Sequence, residues 1–133
     1  MFRSILALIL FLPVLASADG YGFQTPSGNI YCNGAVIQSG IDCTIIERSG
    51  VPPLPKPASC KSNWGHVFVL DATGPARMQC GGHLNRVSYT DVADYGLTGE
   101  FGDITCKSEK TGLTCRNKSG HGFFLSRRQQ KLF

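Results

Sequence analysis

Long apolar runs are scarce in this chain. After Leu15 no stretch reaches the length that a helix needs to cross a bilayer, which excludes a helical membrane span beyond the opening residues. Charge is scarce as well: 17% of residues are Asp, Glu, Lys or Arg, and the formal excess of +4 is too small to argue for nucleic acid. There is no Gly-x-Ser-x-Gly elbow, no His-Glu-x-x-His helix and no phosphate-cradling glycine loop, so three common catalytic architectures lose their sequence support. Helical periods are few. What remains is a chain rich in glycine, with six cysteines and short alternating runs.

The opening residues read as a Sec-type signal peptide spanning 1–18. Arg3 supplies the early positive charge, Ile5 to Leu15 is an apolar core too short to span a bilayer, and Ala16-Ser17-Ala18 is an Ala-x-Ala cleavage site. Cleavage leaves Asp19 as the first mature residue, and no cysteine at the junction suggests a lipid anchor. The expected product, residues 19–133, is a single domain in the periplasm or outside the cell.

All six cysteines lie in that mature part, and an even count in a small exported domain predicts a framework of bridges. Spacing does not dictate the connectivity. Hairpin geometry favours Cys32 with Cys43 and Cys106 with Cys115, since each pair flanks a plausible turn, and this leaves Cys60 to Cys80. A bridge typically contributes about 2–4 kcal/mol against total stabilities of about 5–15 kcal/mol, enough to decide whether a chain this small folds.

Two related units emerge, at about 21–80 and 96–127, joined by an irregular segment. Each is a cysteine hairpin followed by Gly-His-x-Phe-x-Leu, at Gly65 to Leu70 and again at Gly120 to Leu125. In the first hairpin, alternation places Ile30 and Cys32 with Ile41, Cys43 and Ile45 on one face, and turns Asp42 and Thr44 outward. The run from Trp64 to Leu70 predicts a strand that is apolar on both faces, completed as a hairpin by Ala76 to Cys80. Between them, Val51 to Pro57 holds four prolines in seven residues, a stiff connector that cannot supply a central strand's hydrogen bonds. The stretch from Gly81 to Gly102 predicts mostly loop, with a helical turn over Val92 to Tyr95. The tail after Arg127 either extends the last strand or forms a short helix. The expected fold is all-β, a small disulfide-stapled sandwich or barrel built from the two hairpin-plus-strand units.

His66 and His121 are the candidate catalytic residues, because the repeat makes them equivalent and two imidazoles can perform general acid and base chemistry or begin a metal site. The competing structural reading is simpler. Each shares a strand face with Phe and Leu, where a ring nitrogen holds backbone at the edge of the core. His83 lies in a loop without a repeat partner. Asp91, Asp94, Glu100 and Asp103 form an acidic cluster that lacks the ligand density of an EF-hand loop and reads as solvated surface. The basic tail reads as solubilising, and Asn117-Lys118-Ser119 is a glycosylation sequon in form. The sequence assigns neither a metal nor a cofactor.

Taken together, Phe23-x-Thr-Pro-Ser-Gly-Asn-Ile-Tyr-Cys32, Ile41-x-Cys43-x-Ile45, Cys60 with Trp64-Gly65, Cys80, Tyr95-Gly96, Gly102-x-Ile104-x-Cys106, Cys115 and Gly120-His121-Gly122-Phe123-x-Leu-Ser126-Arg127 resemble an uncharacterised family of small exported bacterial proteins, a domain of unknown function. The resemblance covers nearly the whole mature chain. It implies a bacterial source and a periplasmic or secreted location, with no catalytic residues to carry over. The functional expectation is a non-enzymatic binding or interaction module with an envelope or extracellular partner, a protein among the candidates. The alternative is a small secreted hydrolase, ribonuclease-like, using His66 and His121.

Overall fold

The computed structural model describes residues 20–133. The expected signal peptide, its cleavage site and Asp19 lie outside the described residues. Strands β1 (Gly20–Gln24), β2 (Ile30–Ala35), β3 (Gly40–Ile45), β4 (Val67–Asp71) and β5 (Arg77–Gln79) form one antiparallel sheet in that order. Strands β6 (Thr98–Phe101), β7 (Ile104–Glu109), β8 (Gly112–Arg116), β9 (Gly122–Leu125) and β10 (Gln130–Leu132) form a second. The protein is an all-β sandwich of two five-stranded meanders, with no helix among the described residues.

The two sheets have matching registers. Cys32 sits opposite Cys43 across β2 and β3, and Cys106 opposite Cys115 across β7 and β8. Cys43 then faces Phe68, and Cys115 faces Phe123. Ile41 pairs with Leu70 as Leu113 pairs with Leu125. Both phenylalanines are fully buried, and their rings meet across the sandwich at 5.9 Å. Each Gly-His-x-Phe-x-Leu run thus enters the core in the same way.

The glycine of that run is a backbone device. Gly65 and Gly120 have φ of 96° and 84°, the left-handed region in which a side chain is strained. Each turns the chain into its strand two residues before the ladder begins, and the main chain is tied in the same manner on both sides. Ile45 N donates to His66 O at 2.9 Å, and Asn117 N donates to His121 O at 2.8 Å.

Disulfides join Cys32 to Cys43, Cys60 to Cys80 and Cys106 to Cys115. Two lie directly across a ladder with Cα atoms 4.1 Å apart, the close spacing of a non-hydrogen-bonded antiparallel pair. The third clamps the end of the proline connector to the end of β5, with Cα atoms 5.6 Å apart. The connector is also held by Trp64, whose indole Nε1 donates to Leu54 O at 2.9 Å.

Several expectations are corrected. The strand predicted from Trp64 begins at Val67, because Gly65 and His66 are spent on the entry turn. Val92 to Tyr95 makes no helical turn, since Val92 is drawn into a parallel bridge with Gln24. Thr98–Phe101 is strand β6, inside a stretch expected to be loop. The tail neither extends β9 nor forms a helix: it reverses at Ser126, whose N–H donates to Gln129 O at 2.8 Å, and returns as β10.

Thr44 faces outward as expected yet is buried, as is Tyr31 beside it. The cover on that outer face is the irregular segment, which runs across the first sheet from β5 towards β1. Tyr31 Oη donates to His83 O, Tyr89 Oη bonds Asn33 Oδ1 at 2.9 Å, and the two tyrosine rings lie 6.3 Å apart.

Candidate functional site

The histidines lie at equivalent points, but their rings do different things. His66 Nδ1 is 2.7 Å from Ile45 O, so it acts as donor there and ties β3 to the start of β4. At His121 the neighbouring work is done by Asn117, the residue in the position of Ile45. Asn117 is buried, its Oδ1 accepts from Ser119 N and His121 N, and its Nδ2 donates to Asp71 O and Gly74 O. One side chain therefore closes the β8–β9 loop and pins it to the β4–β5 turn of the other sheet. No hydrogen bond joins the two imidazoles among the described residues, and neither ring lines the cleft between β1 and β6 described below or any of three further surface clefts. His83 is exposed and contributes its carbonyl to Tyr31. No group of three or more His, Cys, Asp or Glu side chains able to hold a metal stands together among the described residues.

The feature with binding geometry is elsewhere, on the side of the sandwich where β1 and β6 are the edge strands. Tyr21 and Phe23 of β1 point inward with Phe101 of β6, and the Phe23 and Phe101 rings stack at 5.5 Å. Phe101 can descend this far because Gly34 lies beneath it; a Cβ there would stand 2.1 Å from the ring. Together with Val92, Leu97, Cys106 and Leu113 these rings enclose a cleft of about 180 Å³. Its walls are mainly carbon. Its rim keeps large apolar side chains in water: Tyr21 is 45% exposed, Val92 39% and Leu97 53%. Tyr95, 48% exposed in the same segment, lines a separate cleft. Scattered apolar residues on a surface need no explanation, but several gathered around one concavity mark an interaction site.

Residues 91–97 form a strap that braces this side. At one end Gln24 N donates to Asp91 O at 3.1 Å and Ala93 N to Gln24 O at 2.8 Å, which fastens the strap to β1. At the other, Gly96 N donates to Ser108 O at 2.7 Å and Ser108 N to Leu97 O at 2.9 Å, which fastens it to β7. The buried Ser108 hydroxyl adds a third tie, to Ala93 O at 2.8 Å. The cleft therefore sits on a fixed frame. Burial, and after it the Asp91 carboxylate that hydrogen-bonds it, raises the pKa of the Tyr21 phenol.

Sequence reasoning did not find this cleft. Its walls come from three separated stretches, and only the Tyr21-x-Phe23 alternation and the acidic character of 91–103 were visible beforehand. A family model matches residues 4–133, almost the full length. The chain belongs to DUF6636, a family of unknown function. Comparison with curated proteins and with solved structures found no match. The three disulfides suggest an oxidising environment, extracellular or periplasmic.

Proposed function

We propose that this DUF6636 chain is an exported binding module, residues 19–133 acting as one domain in the periplasm or outside the cell, and that it engages its partner through the cleft between β1 and β6. The observation that carries the reading is the apolar concavity ringed by solvent-exposed Tyr21, Val92 and Leu97 on a braced frame. Such a surface gains free energy when covered, at about 25 cal/mol per Å² of apolar area removed from water. His66 is read as structural, because its Nδ1 is committed to Ile45 O. His121 is read as the entry residue of β9.

A photo-crosslinking side chain placed at Leu97, and in parallel at Lys118 on the far β8–β9 loop, tests this in the producing cells. A discrete cross-linked species from the Leu97 site alone is expected. Folded protein that yields none from Leu97, or the same species from both sites, sinks the reading.

A further inference from the structure

The main chain around the cleft carries more information than its side chains. Because Cys32 and Cys43 form a non-hydrogen-bonded pair, the N–H and C=O of Cys32 turn towards β1, where its partner is Phe23. Phe23 and Tyr21 thus bond inward to β2, and the alternate residues, Gly22 and Gln24, turn their main-chain groups away from the sheet. The bonds at Gln24 confirm this phase, since both go to the strap. Gly22 has no such partner among the described residues. The same reasoning from Cys106 and Cys115 shows that Gly99 bonds inward to β7, while Thr98 and Glu100 present their N–H and C=O groups outward. The cleft is therefore bordered by two free strand edges, one from each sheet. The strap already pairs with one end of β1 in this manner.

The segment that supplies the strap and β6 carries charge of one sign. From Val87 to Cys106 the chain has no Lys or Arg, and it carries Asp91, Asp94, Glu100 and Asp103. None of these four carboxylates is in an ion pair among the described residues. The nearest base in the ladder, Lys107, lies opposite Thr98 on the outer face of the second sheet.

We infer that the occupant of this cleft is an extended, basic peptide segment of a partner protein, which pairs its backbone with the free edges at Gly22, Thr98 and Glu100 and seats one apolar side chain against Tyr21, Phe23, Leu97 and Phe101. This deepens the functional reading above and rests on it. Edge pairing supplies affinity that is independent of sequence, a pocket for alternate side chains supplies selectivity, and carboxylates without an ion-pair partner select cationic flanks. Edges left open in this way also call for a natural occupant, since an unpaired edge invites uncontrolled association.

Four probes test it by amide NMR on the intact, oxidised protein. The first is a nine-residue peptide of alternating Thr and Val with a central Phe and Lys at both ends. The second replaces Lys by Glu, the third is the Lys peptide N-methylated at every second residue in either phase, and the fourth is N-acetyl-phenylalanine amide. The Lys peptide is expected to shift the amides of Gly22, Thr98 and Glu100 and to slow their hydrogen exchange at least tenfold. The Glu peptide should bind at least tenfold more weakly, and one of the two N-methylation phases should abolish binding. Equal binding of the Lys and Glu peptides, or indifference to both methylation phases, overturns the inference. If N-acetyl-phenylalanine amide shifts the cleft resonances while no peptide does, the inference falls and the cleft remains a binding site. If no probe shifts them, both readings fall.

Discussion

The two sheets have matching registers and different surroundings. In the first, the β3–β4 connection runs through residues 46–66, carries the proline connector, and is clamped by its own disulfide; in the second, residues 117–121 make the same connection in a tight loop closed by Asn117. The first sheet also has its outer face crossed by the irregular segment, while the outer face of the second, with Thr105, Lys107 and Arg116, is open to solvent. Matching core registers with unlike coverings show where the two sheets diverge. The interior fixes a scaffold common to both, and everything that distinguishes them is attached at loops and edges, which is where the cleft lies.

That comparison can be broken most sharply at its centre. Phe68 and Phe123 are both fully buried and touch one another, so Phe68→Ala and Phe123→Ala should each cost about 3–5 kcal/mol, and by similar amounts. Chemical denaturation of both variants measures it. A difference of more than about 2 kcal/mol would show that one sheet organises the core and the other merely docks upon it.

The histidines sharpen the same comparison on a smaller scale. His66→Ala removes a side-chain bond to the Ile45 carbonyl and should cost about 1 kcal/mol, whereas His121→Ala, whose loop is held by Asn117, should cost less. Equal losses would mean that Asn117 does not substitute for the imidazole.

The smallest expected effect is a pH dependence confined to the first sheet. Burial raises the pKa of the half-buried Asp42, opposed in part by its hydrogen bond from Asn33. A raised carboxylate pKa means that the folded state binds the proton more tightly than the unfolded state does, so stability falls as pH rises through that range and the penalty is complete above it. Asp42→Asn should therefore raise the melting temperature at neutral pH and leave it nearly unchanged at about pH 3, below the ordinary carboxylate range. A gain that is the same at both pH values would sink this account.

Much of the scaffold was legible because it is written in local chemistry. Alternation identified the faces of β2 and β3, paired hairpin cysteines set their register, and the repeated Gly-His-x-Phe-x-Leu pattern located both central strands. The strands that escaped notice are edges. Gly20–Gln24 and Thr98–Phe101 each contain glycine and have low intrinsic strand preference, and Gln130–Leu132 follows a charged turn; all three are strands because a neighbour's ladder recruits them. The helical expectation for Val92 to Tyr95 failed for the same reason, since a tertiary bridge to Gln24 outweighed local preference. The cleft was hidden because its rings come from Phe23 and Phe101, far apart in sequence and stacked only after the sheets close.

The sequon can be judged by the same standard. Asn117 is buried with both polar atoms of its side chain in use, so the folded protein offers no amide there for a glycan.

Every bridge joins neighbours along the chain: the first cysteine to the second, the third to the fourth, the fifth to the sixth. A polypeptide emerging amino-terminus first into an oxidising compartment would expose each correct partner before any later competitor. Native pairing would then be the default result of sequential oxidation, and the chain's dependence on an isomerase to correct its bridges should be slight.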